Sequence, residues 1–160
     1  FEFTAGGFVF RGEISYFDKG KAFMQNNLRP AIKKYLSSIV GIEKPDLFTK
    51  GLLLNIQYIV DKVIGYEDAI KRKEVTHNIT IALSYDELFN NRIKIEVGLI
   101  WGISYKEVMI RPKITWQPQN DFNLVLGIVI IPTKSQYYQT GMFAAFYNRD
   151  FIFFQCNYSF

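Results

Sequence analysis

Apolar and polar residues alternate with a period of two along most of this chain. That pattern marks strands whose two faces meet different environments. Ile93, Ile95, Val97, Leu99 and Trp101 fall on one face, and Arg92, Lys94, Glu96 and Gly98 on the other. The next run repeats the scheme, with Val108, Ile110, Pro112, Ile114 and Trp116 opposing Arg111, Lys113 and Thr115. Ile79, Ile81, Leu83 and Tyr85 oppose Asn78, Thr80, Ala82 and Ser84, while Phe8, Phe10, Ile14 and Tyr16 oppose Arg11, Glu13 and Ser15. Leu52, Leu54, Ile56, Tyr58 and Val60 oppose Asn55 and Gln57; Phe122, Leu124, Leu126, Ile128 and Ile130 share a face; Phe154, Cys156, Tyr158 and Phe160 oppose Gln155, Asn157 and Ser159. The stretch between Pro30 and Pro45 fits a short amphipathic helix or a strand. Gly41, set among the β-branched Ile39, Val40 and Ile42, favours the strand.

The pattern predicts about eight strands, near 7–17, 34–44, 51–62, 76–86, 91–103, 107–117, 121–132 and 150–160, in a single domain spanning 1–160. The connections are long at 18–33, 63–75 and 133–149 and short at 45–50, 87–90, 104–106 and 118–120, so the long ones gather on one side of the sheet. Outer-membrane barrels show this asymmetry. A turn near residue 104 pairs Val97 with Pro112 and Glu96 with Lys113, and every pair in that register keeps its face.

Alternation alone does not separate a soluble sandwich, with apolar faces packed together, from a membrane barrel, with apolar faces on lipid. Three features favour the barrel. Phe8, Tyr16, Tyr58, Tyr85, Trp101, Trp116, Tyr158 and Phe160 sit near strand ends on the apolar face, where aromatic girdles form. The strands have the length that crosses a bilayer at a tilt. The chain ends Tyr158-Ser159-Phe160, which resembles the C-terminal aromatic signal read by the outer-membrane insertion machinery.

Composition narrows the classes. The aromatic content, 17%, is too high for a disordered segment. One cysteine, Cys156, and one histidine, His77, exclude a disulfide framework, a cysteine-based zinc site and a His-rich metal site. The net charge of +4 is spread along the chain and interleaved with acids, unlike a nucleic-acid face. No apolar stretch approaches the ~20 residues of a membrane helix. The chain opens Phe1-Glu2-Phe3 without a basic-then-apolar leader, as in a processed product or part of a longer polypeptide.

Several stretches, in order, resemble the C-terminal part of an uncharacterised family of large proteobacterial outer-membrane proteins, often encoded near exporters of the resistance-nodulation-division type. They are Phe10-Arg11-Gly12-Glu13-Ile14-Ser15-Tyr16-Phe17, Val40-Gly41-Ile42-Glu43-Lys44, Gln57-Tyr58-Ile59-Val60-Asp61 on to Tyr66-Glu67-Asp68, Ile110-Arg111-Pro112-Lys113-Ile114, and Asn148-Arg149-Asp150. The resemblance implies an antiparallel transmembrane β-barrel longer than this chain, of which these residues form the C-terminal portion. If the chain is complete instead, eight strands close into a small barrel filled by side chains.

The candidate lumen-lining residues are Arg11, Glu13, Arg92, Lys94, Glu96, Arg111 and Lys113, a mildly basic set that either tunes solute selectivity or props the wall through ion pairs such as Glu96 with Lys113. Tyr158 and Phe160 are the candidate insertion signal. Pro112 marks a bulge or a tolerated edge, and segment 18–33 is the candidate inward-folding loop. The aromatics Tyr137, Tyr138, Phe143, Phe146 and Tyr147 suggest packing into the lumen or against another protein. His77 lies too far along the strand from Ser84 and Asp86 for a triad, and Cys156 reads as a small hydrophobe. The sequence carries no nucleotide loop, metal cluster or paired carboxylates. The expectation is therefore a non-enzymatic, cofactor-free channel or transporter for small solutes in a Gram-negative outer membrane. Its partners would be membrane lipid, the insertion machinery, and the remainder of the barrel or other complex subunits, with no nucleic acid. The alternatives are a structural anchor of a larger assembly and a soluble β-sandwich or barrel binding an apolar ligand.

Overall fold

A computed structural model describes residues 1–132, 141, 143, 146 and 149–158. The alternating runs form nine strands: β1 (Glu2–Ala5), β2 (Phe8–Met24), β3 (Pro30–Lys44), β4 (Leu52–Ile64), β5 (Val75–Leu88), β6 (Ile93–Gly102), β7 (Glu107–Gln119), β8 (Phe122–Val129) and β9 (Phe151–Tyr158). A single 3-10 turn, Ile103–Tyr105, joins β6 to β7. All nine lie in one antiparallel sheet in sequence order, each strand beside its chain neighbours. No second sheet covers either face among the described residues.

The ambiguous 34–44 stretch is a strand, and the expected β6–β7 register holds throughout, with Val97 opposite Pro112 and Glu96 opposite Lys113. Two expectations are corrected. The sheet has a ninth strand, the short β1, which turns back through Gly6 and Gly7 (φ +57° and +74°), a backbone form that glycine adopts without strain. The long loop expected over 18–33 is largely strand: β2 runs on to Met24, β3 begins at Pro30, and only 25–29 connect them. The register shifts between Phe17 and Lys21, around Gly20 at φ +79°, and that bulge breaks the alternation that would have revealed the strand.

β1 and β9 are the sheet's edges and do not pair with each other among the described residues. β1 covers β2 only from Phe8 to Arg11, with Phe1 and Gly12 exchanging a further pair of hydrogen bonds. In an alternating sheet of nine, β1 and β9 run in the same direction.

Candidate functional site

Paired residues on neighbouring strands share a face, so the register carries each face across the whole sheet. One face collects the odd-numbered residues of β2 to β4 and β7 to β9 and the even-numbered residues of β1, β5 and β6. Arg11, Glu13, Glu43, Asn55, Gln57, Thr80, Glu96, Arg111, Lys113 and Asn157 lie on it. The opposite face is apolar through its middle, with Asp18, Lys34, Lys44, Lys62, His77 and Glu87 toward the strand ends, and many of its large side chains are exposed. Ile14 is 76% exposed, Leu83 39%, Ile114 47% and Phe154 67%. The strand residues that are buried, Phe23, Tyr35, Asp61, Val63, Thr76, Asn78, Gly102, Glu107, Gly127 and Val129, all lie on the polar face. This inverts the usual arrangement of a water-soluble sheet.

The exposed face is banded. Tyr58 and Trp101 occupy one cross-strand row with Ile79 between them. Trp116 stands opposite Ile93, and Tyr85 opposite Leu52, toward the other end. From Ile93 to Trp101 the strand rises roughly 26 Å at ~3.3 Å per residue. Leu99, Val97 and Ile95 fill the interval. His77 is inside β5, beyond the Tyr58 row, with its Nδ1 2.7 Å from the Tyr58 hydroxyl and the two rings stacked. Cys156 is exposed on this face.

On the polar face three of the sequence candidates, Lys94, Glu96 and Lys113, come together, and Arg11, Glu13 and Arg111 have other partners. Lys113 Nζ is 2.9 Å from Glu96 Oε2, and Lys94 Nζ is 3.6 Å from the same carboxylate. Arg11 bridges Glu2 at 2.7 Å and Glu43 at 2.8 Å. Glu13 accepts the Ser15 hydroxyl at 2.7 Å. Arg111 lies over the Phe153 ring, 4.9 Å from its centroid. Arg92 is corrected: it sits in the turn before β6, where its carbonyl accepts the Gln117 amide, and not on the strand wall. Glu2, Glu43, Asp61 and Glu107, which alternation did not single out, also project from this face. They bring it close to charge balance, whereas the sequence candidates alone are mildly basic.

The segment that folds inward is 65–74, the β4–β5 connection, and not 18–33. It crosses the polar face as a strap. At one end Asn26 N donates to Ala69 O at 2.8 Å and Lys71 N to Met24 O at 2.9 Å. In the middle Ile70, 3% exposed, packs with Phe23, Tyr35 and Val63. Arg72 Nη2 donates to Asp61 Oδ2 and Thr76 Oγ1, both at 2.7 Å, and the guanidinium lies over the Tyr35 ring. At the far end Lys73 N donates to the Tyr105 hydroxyl at 2.8 Å, and Lys73 Nζ donates to Ser104 O. Lys33 pairs with Glu67. Burial pushes the Tyr105 phenol above its ordinary pKa.

Residues after β8 also cover this face. Phe143 packs on Val129 and Ile131, with Ile100, Met109 and Phe153 around them, and its amide donates to the buried Glu107 at 3.2 Å. The expected inward packing of the 133–149 aromatics is therefore met at Phe143; Tyr137, Tyr138 and Tyr147 lie outside the described residues, as does Phe160. Tyr158 is on the exposed apolar face, opposite Phe122. Pro112 marks no bulge in β6–β7, whose register is continuous. Instead, the β7–β8 ladder lapses between the Ile110–Ile130 bridge and the Lys113–Gly127 pair, where proline has no N–H to donate.

Comparison with family models, with curated proteins and with solved structures finds no match to this chain.

Proposed function

We propose that this sheet is wall of a transmembrane β-barrel in a Gram-negative outer membrane, with its apolar face on lipid and its polar face on a lumen that passes small polar solutes. The observation that carries this reading is the inversion of the two faces: large apolar side chains are exposed in a continuous band, while the polar face holds every buried strand residue. An apolar band of that extent on water is rare in soluble monomers. At a strand tilt of about 40° its aromatic rows would lie ~20 Å apart along the barrel axis, a little under the ~25 Å apolar band of such barrels. The family resemblance from Phe10 to Asp150 points the same way, with this sheet as the C-terminal portion of a longer barrel. In lipid the outward edges of β2 and β9 need strand partners, because each unpaired backbone group costs several kcal/mol there. Since β1 and β9 run in the same direction, antiparallel closure takes either β9 against β2 or an odd number of further strands.

The strap supports a second reading, a structural anchor that conducts nothing, because 65–74 and Phe143 both occupy the polar face. Planar-bilayer recording separates the two. Discrete conductance steps that shrink with larger polar solutes support the channel, and a silent bilayer holding verified inserted protein supports the anchor. Protein that stays in aqueous buffer without detergent refutes both.

A further inference from the structure

An apolar recess lies on the polar face. Met109, Arg111, Val129, Phe146, Phe151 and Phe153 line a cavity of about 320 Å³ beside the β8–β9 edge. Five of the six are consecutive inward positions on β7, β8 and β9; Phe146 closes over them from the connection. Gly127 makes the recess possible. It pairs with Phe153, and a Cβ at Gly127 would strike the Phe153 ring and come within 3.1 Å of Lys113 Cβ. With no side chain there, the ring lies across β8 and reaches the Arg111 guanidinium.

Arg111 differs from Lys94 and Lys113, its basic neighbours on this face, and from the other arginines there, Arg11 and Arg72; Lys21, on β2, likewise lies over a ring, that of Tyr35. Arg11, Lys33, Arg72, Lys94 and Lys113 each have a carboxylate within ion-pair distance. Arg111 has none among the described residues, and its one recorded partner is the Phe153 ring. A guanidinium with its fork of donors unclaimed, at the rim of an aromatic and aliphatic recess, matches one ligand class. We infer that Arg111 and this recess bind a single-headed amphipathic anion, a carboxylate or phosphate head on Arg111 with its short hydrocarbon body against Met109, Val129 and the three phenylalanines. At ~30 Å³ for each water-sized group, the cavity takes roughly ten heavy atoms, the size of octanoate. This rests on the proposed lumen only for the ligand's route of entry.

The test titrates octanoate, octanol and octyltrimethylammonium into the whole chain in nanodiscs of zwitterionic lipid, with empty discs subtracted. Octanoate is expected to bind at least tenfold more tightly than either analogue. Arg111→Gln is expected to weaken octanoate tenfold to a hundredfold, the loss of a charge-assisted hydrogen bond, and to leave octanol unchanged. Gly127→Ala, which displaces the Phe153 ring, is expected to weaken both. Repeating the titration in anionic-lipid discs identifies the source: unchanged octanoate affinity indicates a free carboxylate, and competitive loss indicates a net-anionic lipid headgroup on the same arginine. Equal affinity for the three probes in the unaltered chain overturns the inference without recourse to any variant. Protein that fails to enter discs refutes the membrane reading instead, and the same titration in buffer then tests the recess alone.

Discussion

Replacing Arg72 with methionine keeps an unbranched apolar stem and removes the charge and the donors. The side chain of Asp61 is 11% exposed and that of Arg72 28%. Without Arg72, Asp61 keeps the Ser37 hydroxyl, at 2.8 Å, and the neighbouring Tyr35 hydroxyl, both neutral. Thr76 Oγ1 loses its donor, and the Tyr35 ring loses the cation above it. A hydrogen bond to a charged group is worth ~1.5–3 kcal/mol, and stranding a fully buried charge costs ~3–5 kcal/mol. Partial exposure of Arg72 lowers both, which leaves about 2–3 kcal/mol for opening of the strap. At tenfold per ~1.4 kcal/mol, amide exchange across 65–74 accelerates about 30- to 150-fold. Hydrogen-exchange mass spectrometry reads this directly, with the central β4–β5 ladder as the unchanged reference. The double variant Arg72→Met with Asp61→Asn exchanges more slowly than the single one, because no charge is then left unpaired. If exchange in 65–74 stays within twofold of the parent, Arg72 does not hold the strap and its role here is refuted.

Three shorter expectations follow from the same geometry. Leu83→Arg on the exposed face destabilises the folded protein in lipid by ~2–4 kcal/mol, while Ser84→Arg, one residue on and facing the polar side, costs under about 1 kcal/mol; denaturant titration in bilayers measures both. Glu96→Gln weakens two half-exposed pairs at once yet costs only about 0.5–1 kcal/mol, and Glu96→Lys with Lys113→Glu recovers most of that, by the same titration. Because burial raises the Tyr105 phenol, its contribution to stability is complete below the ordinary tyrosine pKa of about 10 and is lost as pH rises through the higher folded value. Melting curves from about pH 8 to 11.5 should therefore fall more steeply for the parent than for Tyr105→Phe, and the variant should be ~1 kcal/mol less stable at neutral pH through the lost acceptor for the Lys73 amide.

What could be read from the sequence was whatever depends on a period of two. The β6–β7 register followed from one short turn and two faces of opposite character, since a slip of one residue would expose Lys113 and bury Trp116 together. β1 was missed because four residues give too short a run, although Gly6-Gly7 between Ala5 and Phe8 carried a hairpin signal. The extension of β2 was hidden by the bulge at Gly20, and the true turn at Gln25-Asn26-Asn27 made the whole of 18–33 resemble one loop. The strap was not legible: Ile70 and Arg72 meet Phe23, Tyr35 and Asp61 only through long-range folding, and nothing local distinguishes 65–74 from an outward loop. The charge balance of the polar face was misjudged for a related reason, because Glu2, Glu43 and Glu107 sit at strand ends where the alternating runs had faded.

The two tryptophans test the central assignment most directly. Trp101 and Trp116 are 45% and 48% exposed, on the same apolar face and near opposite ends of the band. In bilayers containing lipids brominated along the acyl chain, both are expected to be quenched, more strongly by bromine near the glycerol end than near the methyl end, and to be shielded from aqueous iodide. Indoles that iodide quenches and brominated lipid leaves bright would contradict a lipid-facing sheet.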